Sequence, residues 1–243
     1  MKTFVIDGRK VNVLCEGEGG PLFLLGVFAG EEEYVDAIFR LVREMVPGRP
    51  FTLAAYETLD WDLDFSPWKP RNATEDSDGT EVGLGDTTVR FGSFGGGGPA
   101  TLKWLSEALN GDLRHFVGEN GVFICGYSLS GLFSLWSVYA SDLFDGCACC
   151  SGSLWFEGWT EFAASNKLQR PGIVYLSLGG KEEKSPNPVM ATIGDATRSQ
   201  DKILDRDGNV IWHTLVMNPG GHFASTDKRV AKGIAWLIEN RKK

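Results

Sequence analysis

Apolar and polar positions change their period several times along this chain, and each change predicts an element. Phe4-Val-Ile6 and Val11-Asn-Val-Leu14 flank Asp7-Gly8, a dipeptide that favours the tight turn of a β-hairpin. Pro21-Leu-Phe-Leu-Leu-Gly26 has no polar break, as expected of a strand covered on both faces. Tyr34, Ala37, Ile38, Leu41 and Val42 recur at helical spacing, and Pro47-Gly48 ends that helix. Phe51-Thr-Leu-Ala-Ala-Tyr56 is a further strand. Over residues 57–99 the periodicity is lost among Asp, Gly, Pro and Trp, which predicts a long active-site loop region, either a fixed wall or a lid.

Periodicity resumes with Leu102, Leu105 and Leu109 on a short helix. Gly121-Val-Phe-Ile-Cys-Gly126 predicts a buried strand, and Gly131–Ala140 is apolar nearly all round, which predicts a buried helix. Strands follow over 146–150, 173–178 and 210–216. A last helix carries Val230, Ile234, Leu237 and Ile238 on one face and ends in Arg241-Lys-Lys243, basic residues that suit a helix C-terminus. Strands alternate with helices throughout. The expectation is one α/β domain spanning 1–243, with a mostly parallel central sheet, helices on both faces and functional loops at its carboxyl edge.

Composition narrows the function. The chain has 243 residues, 42% of them hydrophobic, enough for a substantial core. A net charge of −8 argues against nucleic-acid binding, which needs a basic face. No apolar run reaches membrane-spanning length and Met1–Gly8 carries no leader-like core, so the expected setting is cytoplasmic with no membrane partner. The five cysteines are odd in number, and Cys147, Cys149 and Cys150 lie in an apolar strand without partners at zinc-site spacing. They read as small core residues, and no metal site is expected. Asp60, Asp62 and Asp64 alternate as in a calcium loop, but Phe65 and Arg71 stand where that loop needs Gly and Glu. The oligomeric state is left open, with a homodimer among the options.

The chemistry concentrates at Ile124-Cys-Gly126-Tyr-Ser128-Leu-Ser130-Gly131. A buried strand runs into Gly-x-Ser and a helix follows at once, the context of a nucleophile elbow. The bland alternative is that Ser128 only caps the helix. An elbow would lift the Ser128 hydroxyl from the sheet edge and leave the Leu129 amide to stabilise an oxyanion. A serine nucleophile needs a base. Of the three histidines, His213 lies within a strand and His115 has no evident role. His222 sits in the Gly-rich loop Asn218-Pro-Gly-Gly-His-Phe223 after the last strand, where it can fold back over the serine. The third member should lie between them, which leaves Glu182, Glu183 and Asp195 as candidates.

These segments resemble the esterase family of α/β-hydrolases that includes esterase D and the enterochelin (ferric-siderophore) esterases. The resemblance rests on Gly126-Tyr-Ser-Leu-Ser-Gly-Leu-Phe133, Ser151-Gly-Ser-Leu-Trp155, Leu178-Gly-Gly-Lys-Glu182 and Gly221-His-Phe223. Upstream, Asp64-Phe-Ser-Pro67 is similar to an Asp-Tyr-Thr-Pro element. Phe94-Gly-Gly-Gly-Gly98 with Leu102-Lys-Trp-Leu105 is similar to a Gly-rich loop and helix. The resemblance implies an α/β-hydrolase fold, ester hydrolysis without a cofactor, Glu182 as the triad acid and a second oxyanion donor at Phe28 or Val27. Two departures stand out. Gly26-Val27 replaces the His-Gly or Asp-Gly that the family carries at this strand end, and Ser130 replaces the fifth-position Gly of the elbow. Trp61-Asp-Leu-Asp64 also puts acid where the siderophore esterases carry Arg, which disfavours an anionic triscatecholate substrate.

The resulting expectation is a serine esterase with Ser128, His222 and Glu182 as triad, Leu129 and Phe28 as oxyanion donors, and Trp68, Trp155 and Tyr127 against a small acyl, aryl or sugar ester. Trp61 and Trp159 are further candidates for an aromatic wall. Alternatives on the same residues are an acyltransferase or a siderophore-ester hydrolase. A non-catalytic binding protein on a hydrolase scaffold is a third.

Overall fold

A computed structural model describes residues 1–71, 80–84, 87–91 and 94–241. The Asp7-Gly8 turn, with φ of 47° and 80°, joins β1 (Lys2–Ile6) to β2 (Arg9–Glu16) as an antiparallel hairpin. The chain continues through β3 (Leu22–Val27), α1 (Glu32–Met45) and β4 (Phe51–Glu57). Next come α2 (Trp61–Phe65), the separate hairpin β5 (Thr80–Leu84) and β6 (Thr87–Phe91), and α3 (Gly98–Asn110). The second half contains β7 (Val122–Tyr127), α4 (Leu129–Ala140), β8 (Gly146–Cys150) and α5 (Trp159–Ser165). It closes with β9 (Gly172–Gly179), α6 (Pro188–Ala191), α7 (Ile193–Leu204), β10 (Val210–Asn218) and α8 (Thr226–Asn240).

Eight strands form one sheet in the order β1-β2-β4-β3-β7-β8-β9-β10. Every pair from β4 to β10 is parallel, and only β1/β2 and β2/β4 are antiparallel. Helices α1 and α8 bury Val35, Ile38, Val42, Ile234 and Ile238 on one face; α3, α4, α5 and α7 cover the other. A parallel sheet buried on both sides needs uninterrupted apolar strands, and β3, β7 and β8 supply them.

The chain leaves β3 toward β4 on one side, while β7 pairs with β3 on the other. The carboxyl ends of β3 and β7 therefore flank a topological switch point, where such sheets open a crevice. Val27 and Tyr127 end these strands, so Phe28 and Ser128 face that crevice.

The reading of 57–99 as an aperiodic loop is corrected where residues are described, because α2 and the β5/β6 hairpin lie within it. Helix α2 is only five residues, below the length at which periodicity registers, and is started by the Asp60 carboxylate accepting from the Leu63 amide at 3.1 Å. Residues 72–79, 85–86 and 92–93, on which the choice between wall and lid depends, lie outside the described residues, as do Lys242 and Lys243. The expected calcium-loop rejection has a positive counterpart. Asp64 is buried and receives Arg9 through two nitrogens, at 2.7 and 2.9 Å, together with the Thr58 hydroxyl at 2.6 Å. Among the described residues no helix is long and apolar enough to cross a membrane, and no cluster of His, Cys, Asp and Glu is arranged to hold a metal ion.

Candidate active site

Ser128 stands between β7 and α4 with φ 58° and ψ −123°, a backbone conformation that a non-glycine residue adopts only under constraint. The constraint comes from both flanks: the Ser128 amide donates to Cys150 O, and the Ser128 carbonyl accepts from Leu132 and Ser153. Gly126 is required by the turn, since a Cβ there would meet Ser130 O at 2.2 Å. The two sequence departures compensate one another. Ser130 Oγ donates to Gly26 O at 3.0 Å, and a Cβ on Gly26 would come within 2.8 Å of that hydroxyl and 2.5 Å of the Phe65 ring.

The His222 ring lies over the elbow with Nε2 3.1 Å from Ser128 Oγ and Nδ1 2.7 Å from Glu182 Oε2. The Ser153 hydroxyl is 3.4 Å from Ser128 Oγ. Glu182 is buried in the turn after β9. Its other oxygen, Oε1, accepts from Ser151 Oγ at 2.8 Å, the Gly179 amide at 2.7 Å and Arg229 Nη1 at 2.9 Å. Burial pushes the Glu182 carboxyl up, but the hydrogen bond and charge of His222, with the Ser151 and Gly179 donors, outweigh it and hold the group below its ordinary value. The carboxylate is thus kept ionised against the imidazole.

The structure separates the three acid candidates. Glu182 reaches His222, whereas Glu183 and Asp195 both pair with Arg198 at the surface, at 3.0 and 2.8 Å. Asp195 lies in the first turn of α7. His213 sits on β10 with Asp201 3.3 Å away, and His115 packs on Phe4 and Phe116, so neither joins the site.

A cavity of about 590 Å³ opens beside Ser128. Trp155, Tyr127, Trp61, Phe94 and Leu129 contribute to its wall. Trp68 does not line it, which corrects its place as a substrate contact. Its indole packs on Phe156, Trp159 and Phe162 and donates to Glu157 O at 2.9 Å, contacts that hold the ring in the aromatic cluster at α5. Trp159 is likewise buried, donating to Gln200 Oε1 at 3.0 Å. Phe28 does line the cavity, but its amide, expected to await an oxyanion, donates to Glu31 Oε2 at 3.1 Å. Leu129 is the first residue of α4, so its N–H has no partner within the helix.

Sequence reasoning missed Arg229. From α8 its buried guanidinium donates to Tyr127 Oη, Ser151 Oγ and Glu182 Oε1 through Nη1, and to Pro219 O and Gly221 O through Nη2. Tyr127 Oη in turn donates to the His222 carbonyl. Burial pushes the Tyr127 phenol up to about 12, so it remains a neutral donor. One cation therefore joins the end of β7, the acid turn and the histidine loop. The only signal was a charged residue amid the apolar face of α8, beside Val230 and Ala231.

No protein-family model matches the chain, and no curated protein matches it. Solved structures do. An IroE-like serine hydrolase from Shewanella oneidensis superposes with a TM-score of 0.71 at 15% identity, over 95% of this chain and 76% of that one. The siderophore hydrolases EstA and EstB from Aspergillus nidulans give TM-scores of 0.66 and 0.65 at 12% and 14% identity, over 95% and 98% of this chain and 90% and 95% of theirs. At such identities the likeness speaks for the backbone arrangement, and with the sheet order it establishes that this chain has the α/β-hydrolase type of fold.

Proposed function

We propose that this protein is a serine hydrolase that cleaves carboxylic esters through an acyl-enzyme. The observation that carries the reading is the continuous chain Ser128 Oγ–His222–Glu182, with contacts of 3.1 and 2.7 Å, at the carboxyl edge of the sheet beside a cavity. In this reading His222 Nε2 takes the Ser128 proton as Oγ attacks the ester carbonyl. Glu182 fixes the imidazole and stabilises its cation. The Leu129 amide, at the positive end of α4, holds the oxyanion. The Phe28 amide is the second donor once Glu31 releases it. The imidazolium then protonates the departing alcohol, and water clears the acyl group by the reverse relay.

The apolar wall of Trp155, Trp61 and Phe94 suits an acyl or aryl group, and no cofactor enters the scheme. A cytoplasmic setting belongs to the same reading and is supported by five unpaired cysteines, four of them buried. The names of the siderophore-hydrolase neighbours favour a siderophore ester as a second reading.

Hydrolysis of a p-nitrophenyl ester series by wild type, Ser128→Ala and His222→Ala tests the proposal. Each variant is expected to lose about 10⁴-fold or more in kcat, and an organophosphonate should label Ser128 alone. A protein that neither turns over any ester nor accepts the phosphonate would overturn it.

A further inference from the structure

The cavity beside Ser128 has a charge pattern that ester hydrolysis does not require. Among its described lining residues there is no Lys and no Arg, while Glu31 presents a carboxylate in addition to that of Glu182. Glu31 occupies the N-cap position of α1 but makes no capping bond to its own helix. Instead its side chain turns back to the Phe28 amide. Among the described residues no cation pairs with it, although its neighbours Glu32 and Glu57 both reach Lys10. Burial pushes the Glu31 carboxyl up, the mark of an anion whose desolvation is only partly offset. The same cavity has an aromatic wall: Phe28 and Trp61 stack with centroids 3.9 Å apart and 14° between planes, and Phe94 meets Trp155 edge-on at 6.1 Å. A half-buried carboxylate beside aromatic faces is complementary to an organic cation.

We infer that the preferred substrates are esters carrying an ammonium group, which Glu31 binds against the Phe28–Trp61 stack. This rests on the hydrolase reading and names its substrate class. The geometry also couples recognition to catalysis. The carboxylate that would receive the ammonium sits 3.1 Å from the Phe28 amide. An ammonium that draws Glu31 away from that amide frees it for the oxyanion. A neutral ester gives Glu31 no reason to leave, and an anionic one is repelled.

The test compares p-nitrophenyl esters of 4-(trimethylammonio)butyrate, its neutral isostere 5,5-dimethylhexanoate and anionic glutarate, each kcat/KM divided by the rate of attack by hydroxide on the same ester. Wild type is expected to favour the cationic over the neutral ester about tenfold or more, with the anionic ester poorest. Glu31→Ala should lower the rate on the cationic ester while raising it on the neutral one, because the Phe28 amide is then open. Damage to the fold would lower both. Equal rates on the cationic and neutral esters in wild type, or a preference unaltered in Glu31→Ala, overturns the inference while leaving the hydrolase reading intact. Binding of the cationic and neutral esters to Ser128→Ala, followed by calorimetry, separates the two further. Tighter binding of the cation supports the inference whatever the fate of the chemistry, and equal binding overturns it.

Discussion

Replacing Arg229 by Met should be the most damaging single change outside the triad. Met keeps much of the stem volume and removes the guanidinium, which is 2% exposed as a side chain and makes five hydrogen bonds, two of them to the carbonyls of Pro219 and Gly221 in the histidine loop. Its loss leaves the Glu182 carboxylate buried without the cation at 2.9 Å and leaves those two carbonyls without this donor. Removing one partner of a buried ion pair typically costs about 3–5 kcal/mol, because the remaining charge stays desolvated. For a chain of this size that corresponds to a fall in Tm of about 6–20 °C. Activity should fall more than stability accounts for, since the acid turn and the His222 loop lose their common anchor. Arg229→Lys restores the charge but not the planar fork, which spans Glu182 and the loop at once, and should fall between wild type and Met. Thermal unfolding with matched ester kinetics below the transition measures both effects. A Met variant within about 1 kcal/mol of wild type, with unchanged kcat, would refute the assignment of Arg229 as the link between acid and base.

Four other outcomes follow from the same geometry. Native protein should react with Ellman's reagent at Cys15 alone, because the other four thiols are buried and burial pushes Cys150 up to about 12; denatured protein should titrate five. Asp64 is pushed up by burial but held at about 2 by Arg9, Thr58 and the Asp60 amide. A depressed carboxyl stabilises the fold above its unfolded value and loses that contribution as pH falls through its folded one, so about 2 kcal/mol should disappear between roughly pH 4 and 2. Asp64→Asn should remove this acid limb in urea titrations across that range. Trp155→Ala should raise KM for bulky acyl esters with little change in Tm, whereas Trp68→Ala should lower Tm by several degrees and leave KM alone; Michaelis kinetics with thermal melts distinguish them. Ser130→Gly, which deletes the buried bond to Gly26 O, should cost about 1 kcal/mol in denaturant unfolding without abolishing hydrolysis.

The sequence by itself determined the sheet. Apolar runs such as Leu22–Val27 and Val122–Tyr127 suit strands covered on both faces, so the class and the strands of the main sheet follow from local pattern, while the β5/β6 hairpin does not. It also determined where Ser128 and His222 lie, since Gly-x-Ser between strand and helix and Gly-Gly-His after the last strand are contiguous motifs whose meaning is local. Tertiary structure alone decided between Glu182 and Glu183 as the carboxylate facing His222. Adjacent residues in a charged turn point in different directions, and nothing within Lys181-Glu-Glu-Lys184 says which one meets a ring 40 positions away. Two indoles with similar flanks, Trp68 and Trp155, were divided between the cluster under α5 and the cavity by packing that no sequence window contains. Arg229, bonded across 47 to 102 positions to Glu182, Ser151 and Tyr127, was hidden for the same reason: a buried charge is specified by its partners, and those partners come together only when the sheet closes.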